Sequence, residues 1–163
     1  MSAALDDRLL GLTRGMKKRL PVPPQMQAPL QTKLYDCGPA VLAEALRRRG
    51  VEVRSDAIER LAGTTPRGTT MLGLQQAAAA LGVRTQGMLL TFRDLRRASL
   101  PAIAFIRDRH FVLVISADPD AVTLLDPAVG QVVVGRAQFV REWRGEVLVF
   151  SHRQPASGPK GGA

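Results

Sequence analysis

One cysteine, Cys37, and two histidines, His110 and His152, are the whole thiol and imidazole complement of the chain. A lone cysteine cannot close an internal disulfide, and so small a Cys/His set leaves no spaced cluster for structural zinc; no metal and no cofactor are expected. Aromatic residues make up 4% of the sequence, too few for the stacking platforms on which nucleic-acid bases lie. No apolar stretch reaches the roughly 18 residues of a membrane-spanning helix. The strongest candidate, residues 111–115, is strand-sized. The N-terminus carries Asp6 and Asp7 and lacks the continuous apolar stretch of a secretory signal, so the expected location is the cytoplasm, with any membrane association through a partner. A Walker A pattern is also missing.

What is present has the balance of a globular protein. The 163 residues are 45% hydrophobic and 23% charged, the length and composition of a single domain with a sizeable core. Lys and Arg number 23 against 14 Asp and Glu, a net charge of +9 that would steer anionic partners. The arginines, however, fall in short groups such as Arg47-Arg48-Arg49 and Arg96-Arg97 on the solvent faces of expected helices. A solvated basic surface is the better reading, and no nucleic-acid partner is expected.

Three regions follow from the pattern along the chain. Residues 1–27 are an amphipathic N-terminal segment and a Pro-rich connector: Leu5, Leu9, Leu10, Leu12 and Met16 recur at helical spacing before Pro21-Val22-Pro23-Pro24. Residues 28–153 should form the folded domain, and residues 154–163, rich in Pro, Gly, Ser and Ala, a disordered tail. Within the domain, Val41, Leu42, Ala45 and Leu46 make an apolar stripe on a helix that opens at Cys37, with Pro39 in its first turn and Gly50 beyond its end. A second helix is expected over 56–61 with Ser55 as N-cap. A third spans 72–81, started by Thr69 or Thr70 and stopped by Gly82.

A strand near 83–90, broken by Gly87, leads to a helical turn over 92–98 in which Thr91 and Asp94 fit a capping box. Short Val/Ile/Leu-rich runs at 102–106, 110–116, 122–126 and 131–134 read as antiparallel strands, followed by a helix at 137–143 and a last strand at 147–150. Helices first and sheet second make the class α+β.

Cys37 at a helix start lies where unpaired N–H groups and the positive end of the helix dipole stabilise a thiolate. Alone, this position also suits an inert buried thiol. His110, Val112, Val114 and Ser116 share one face of their strand. Asp126 ends the next strand on the face of Val122 and Leu124, with Asp118-Pro119-Asp120 as the reversal between them. If Asp126 lies opposite Val112 it is diagonal to His110, roughly 7–8 Å away and within side-chain reach, and a register two residues removed makes the two direct partners. A shift of register by one residue would put the two on opposite faces. The alternatives are a surface histidine at a strand end and a turn-initiating aspartate before Pro127. His152 lies at the frayed end of the final strand, which favours His110 as the base. Gln31, six positions before Cys37, can turn its amide toward the oxyanion position that the backbone N–H of Cys37 also faces.

Together, Gln31, the run Tyr35-Asp36-Cys37-Gly38-Pro39-Ala40, His110-Phe111-Val112, and Asp126-Pro127 with Gly130 resemble the bacteriocin-processing peptidase family. These are papain-clan cysteine peptidases that cut double-glycine leader peptides, usually as the N-terminal domain of a peptide-exporting ABC transporter. The segment with Gly63-Thr64-Thr65, Gly68-Thr69-Thr70 and Leu81-Gly82 is similar as well, so the resemblance covers about residues 28–150. It implies a papain-like fold in which N-terminal helices, with the nucleophile at a helix start, pack on a C-terminal antiparallel sheet. It implies Cys37 as nucleophile, His110 as base, Asp126 as orienter of the imidazole and Gln31 as oxyanion donor. Asp36 and Gly38 would contact substrate, Gly38 by leaving room for its backbone. The implied substrate is a peptide or protein precursor cut after a Gly-Gly pair. The transporter's membrane and ATP-binding domains have no counterpart in these residues, so a stand-alone peptidase domain with a separate ABC transporter as partner is the expectation. The contrasting class is a catalytically silent module that binds leader peptides or docks on a transporter.

Overall fold

A computed structural model describes residues 35–151 of the chain. The amphipathic segment, the connector, Gln31, His152 and the tail lie outside the described residues. Helix α1 (Cys37–Arg47) is followed by α2 (Ser55–Leu61), α3 (Met71–Ala80), β1 (Thr85–Leu89) and α4 (Phe92–Leu95). Then come β2 (Ala102–Ile106), β3 (His110–Ala117), β4 (Ala121–Asp126), β5 (Gly130–Gly135), α5 (Arg136–Glu142) and β6 (Trp143–Phe150). The fold is α+β and papain-like, with every neighbouring strand pair antiparallel.

The six strands run in the order β1-β6-β2-β3-β4-β5, so the last strand of the chain is inserted between the first two. Alternation along β2 and β3 divides the core between the two faces of this sheet. Ile103, Phe111 and Leu113 point into a cluster with Val41, Leu42 and Leu46 of α1, Ile58 of α2 and Leu74 of α3. Ala104, Val112 and Val114 point the other way, into a cluster closed by Phe92 and Leu95 of α4 and by Phe139 and Trp143 at α5. The sheet is thus buried on both faces, and α1 lies against β3, where the opening residues of the two elements meet.

Local chemistry explains the element ends, several of which depart from the sequence reading: β6 begins at Trp143, expected to be helical, rather than at 147, and α4 stops at Leu95 rather than 98. Thr70 caps α3, its Oγ1 accepting from the Gly73 N–H at 2.9 Å, and Thr91 caps α4 while donating to Asp94 Oδ2 at 2.6 Å. Ser55, expected as a cap, is instead the first helical residue of α2. The extended Arg54 precedes it without a side-chain cap, and Asp56 places the acidic charge in the first turn. Gly87 does not break β1. It pairs with Leu148, and the Gln75 and Met71 side chains of α3 stand over it.

The β3–β4 pair contains the irregularity that matters most for the site. Beside the turn, Ala117 faces Val122 and Ser116 faces Thr123, but farther on Val114 faces Leu124 and Leu113 faces Leu125. Ile115 is the extra residue of a β-bulge. Carried on from the turn without the bulge, with Ile115 paired in the ladder, the register would set Asp126 opposite Leu113, on the face His110 does not share. With it, Asp126 falls opposite Val112 and diagonal to His110.

Candidate active site

His110 opens β3 and Asp126 closes β4, so both stand at the same rim of the sheet. Nε2 of His110 lies 3.0 Å from Oδ1 of Asp126. That oxygen also accepts the Ala128 N–H at 2.8 Å, an Asx turn through Pro127. Asp126 is therefore both the imidazole's partner and the initiator of the turn, the two alternatives its sequence position offered. The carboxylate is almost fully buried, and the imidazole side chain is 19% exposed. A buried carboxylate hydrogen-bonded on both sides is fixed in direction, and it fixes the ring.

With Nε2 taken by Asp126, the second ring nitrogen remains for the thiol, and Cys37 and His110 are hydrogen-bonded. Burial pushes the Cys37 thiol up. The His110 hydrogen bond, the Phe111 backbone N–H, the imidazolium charge and the Gly38 backbone N–H pull it down further, and the net pKa lies below the ordinary thiol value. For His110 burial pulls downward, but the hydrogen bonds to Asp126 and Cys37 and the two negative charges prevail and raise it to about 9. The arrangement favours a thiolate and an imidazolium side by side near neutrality.

Of the residues singled out in the sequence, the structure thus brings Cys37, His110 and Asp126 together, while Gln31 lies outside the described residues. Asp36 and Gly38 flank Cys37 at the start of α1. Asp36 is wholly buried, and its carbonyl accepts the Ala40 N–H in the first turn of α1. Gly38 leaves room for protein: a Cβ there would stand 3.2 Å from the Phe111 ring and 3.3 Å from Cβ of Thr69. This closeness lets the helix start approach β3, so the smallness of Gly38 serves the Cys37–His110 contact from the inside. Sequence reasoning missed the Phe111 N–H as a donor to the thiol, for which the only available signal was its place directly after His110. Among the described residues no group of His, Cys, Asp and Glu suits a metal ion, and no helix is long and apolar enough to cross a membrane.

Residues 25–155 match the Peptidase C39 family model. An uncharacterized protein of Methanothermobacter thermautotrophicus is 40% identical over 120 residues, 74% of this chain and 84% of that protein. The Lactococcin-A transport/processing ATP-binding protein of Lactococcus lactis subsp. lactis is 31% identical over 129 residues, 74% of this chain but 18% of the relative. Among solved structures, a double glycine motif protease from an AMS/PCAT transporter, in complex with the leader peptide, superposes with a TM-score of 0.71. It is 27% identical, and the match covers 85% of this chain and 95% of that one. The peptidase domain of Streptococcus ComA, a bi-functional ABC transporter involved in a quorum sensing pathway, gives a TM-score of 0.69 at 28% identity, over 74% of this chain and 94% of that domain.

Proposed function

Because the chain belongs to the peptidase C39 family, we propose that it is a thiol peptidase that cleaves a leader or precursor peptide after a Gly-Gly pair, with Cys37, His110 and Asp126 as its catalytic residues. The observation that carries this reading is the continuous chain of contacts from the Cys37 thiol through the His110 ring to Asp126 Oδ1 at 3.0 Å. The thiolate attacks the scissile carbonyl carbon, and its negative charge passes to the carbonyl oxygen of a tetrahedral adduct. The Cys37 backbone N–H and the amide of Gln31 serve as oxyanion donors. The imidazolium of His110 gives its proton to the departing amine as the C–N bond breaks, leaving a thioester on Cys37. His110, now neutral, takes a proton from water as it attacks the thioester. Collapse of the second adduct releases the product as a carboxylic acid, which loses its proton to solvent, and regenerates the thiolate beside a protonated His110. Asp126 keeps the ring turned toward the thiol through both steps.

Residues 28–153 are the catalytic unit in this reading, with residues 1–27 and 154–163 flanking it. The relatives' names and the complexed leader peptide support a precursor of an exported peptide as substrate and an ABC transporter as partner. The site works in the cytoplasm, where such precursors are made. The decisive experiment combines iodoacetamide labelling with cleavage of a Gly-Gly-containing precursor. Cys37 should label rapidly near neutral pH, and Cys37→Ala should lose both labelling and cleavage. Labelling at the slow rate of an ordinary thiol, or leader binding without turnover by the wild type, overturns the enzymatic reading and leaves a binding module.

A further inference from the structure

The hairpin that delivers His110 turns through residues that seldom adopt the backbone it requires. Between Ile106, the last residue of β2, and His110, the first of β3, the chain turns through Arg107 at φ 53° and Asp108 at φ 57°. Two successive non-glycine residues in the left-handed region are disfavoured and persist where their surroundings over-determine them. Here the surroundings come from the junction of α5 and β6, 35 positions along the chain from Arg107. The Arg107 N–H donates to the Glu142 carbonyl at 2.8 Å, and its Nε to the Glu142 carboxylate at 3.0 Å. Arg144 reaches Asp108 at 3.1 Å. Ile106 pairs with Trp143 on one side and with His110 on the other.

The two ion pairs differ in setting. Arg107 and Glu142 are 24% and 19% exposed, whereas Asp108 and Arg144 are 58% and 77% exposed. The inner pair is shielded enough to hold a geometry, and the outer one belongs to the class of surface pairs that contribute little. The charged groups that act on His110 are Asp126 from β4 and Cys37 from α1; Arg107, Asp108 and Arg109 precede it in the chain.

We propose that Arg107 and Glu142 are positioning residues for the peptidase reaction. Their ion pair clamps the β2–β3 turn to the start of β6 and so sets the imidazole of His110 against Cys37 and Asp126. The inference rests on the peptidase reading above. Neither residue touches the reacting atoms; each acts through the backbone that carries His110.

The test compares wild type, Glu142→Ala, the milder Glu142→Gln, and the charge-swapped double variant Arg107→Glu/Glu142→Arg. Three quantities are read on each: the pH profile of Cys37 alkylation, kcat and KM on a Gly-Gly precursor, and Tm. With the clamp removed, a misplaced ring should lower kcat on the order of tenfold to a hundredfold with KM within about twofold, since small displacements at a reacting centre cost this much. The acid limb of alkylation should also move upward toward an ordinary thiol. Glu142→Gln should fall between wild type and Glu142→Ala, and the double variant should recover most of the loss. A merely structural role would lower Tm and leave the alkylation profile of the folded protein where it was, and that result overturns the proposal, as does an unchanged kcat. If Glu142→Ala does not fold, the glutamine and double variants decide on the same readouts. Should wild type itself alkylate as an ordinary thiol, the peptidase reading fails and the clamp falls with it. An acid-shifted, cleaving wild type with indifferent variants removes the clamp alone.

Discussion

The ring of His110 is held by an oxygen of Asp126 that is already engaged in holding its own turn, Oδ1 accepting from Nε2 at 3.0 Å and from the Ala128 N–H at 2.8 Å. The carboxylate is therefore a structural and an electrostatic element at once, and substitutions there separate the two roles. Asp126→Asn keeps an acceptor for the Ala128 N–H but removes the charge that raises His110. Near neutral pH it should lose part of the stability that the raised imidazole contributes, while thiol alkylation and kcat both fall, by tenfold or more for an orienting group of this kind. Asp126→Ala leaves the buried N–H and the imidazole without their acceptor and should cost a further 1–3 kcal/mol or so in urea unfolding. An Asp126→Asn protein that alkylates with the wild-type pH profile would contradict the assignment of Asp126 as the orienter.

Two pH limits follow from the shifts at the site. Alkylation of Cys37 should continue below the ordinary thiol range and fade as pH drops through its lowered pKa, whereas cleavage should decline as pH rises through about 9 and His110 loses its proton. For stability the signs differ between the partners. The raised imidazole contributes stability that is full below its ordinary 6.5 and lost as pH rises through about 9. The lowered thiol contributes stability present above its ordinary 9.0 and lost as pH falls through the depressed value. Thermal melts of wild type and Cys37→Ala across this range check both, since removing the thiolate removes one of the causes that raise His110. The alkaline loss of stability should then begin at lower pH.

Glycines 38 and 73 should respond differently to the same added methyl. At Gly73 a Cβ would collide with the backbone oxygen of Ala62, which cannot swing aside, so Gly73→Ala should destabilise by about 3 kcal/mol or more. At Gly38 the nearest neighbours are side-chain atoms of Phe111, Thr69 and Leu74 at 3.2 to 3.4 Å, able to yield slightly. Gly38→Ala should cost about 1 kcal/mol but move the start of α1 away from β3, so its activity loss should exceed its loss of Tm. Denaturant melts beside cleavage rates separate the two outcomes.

Thr70→Ala should lower stability by about 1 kcal/mol, because the Gly73 N–H loses its Oγ1 acceptor. Thr70→Ser should be nearly silent in the same denaturant titration.

Much of this architecture was legible because it is local. The stripe of Val41, Leu42, Ala45 and Leu46, the caps at Thr70 and Thr91, and the strand runs each announce themselves within a few residues. So did the faces of His110 and Asp126, given one register out of several. Choosing that register was beyond the sequence, since nothing in the composition of Val114-Ile115-Ser116 marks which residue will be left over. The packing of Gly38 against Phe111 and the pairing of Arg107 with Glu142 were hidden for another reason. Both depend on contacts between distant parts of the chain, and an exposed-looking glycine or arginine carries no periodic signal of them. The chemistry of the thiol was readable as residue types and spacing, but the Phe111 N–H is a backbone donor, and every residue except proline has one.

The bulge at Ile115 makes the two ends of the β3–β4 ribbon run in different phases, stitched together by one residue. The Asp118-Pro119-Asp120 reversal can therefore be rebuilt as freely as any surface turn, provided the number of residues between stitch and rim is kept. Were Ile115 drawn into the ladder opposite Leu124, the pairing would slip like a frameshift written in side chains. The sequence and the core composition would be unchanged, yet the carboxylate of Asp126 would swing to the layer of Phe111 and Leu113 and leave the imidazole facing an apolar neighbour.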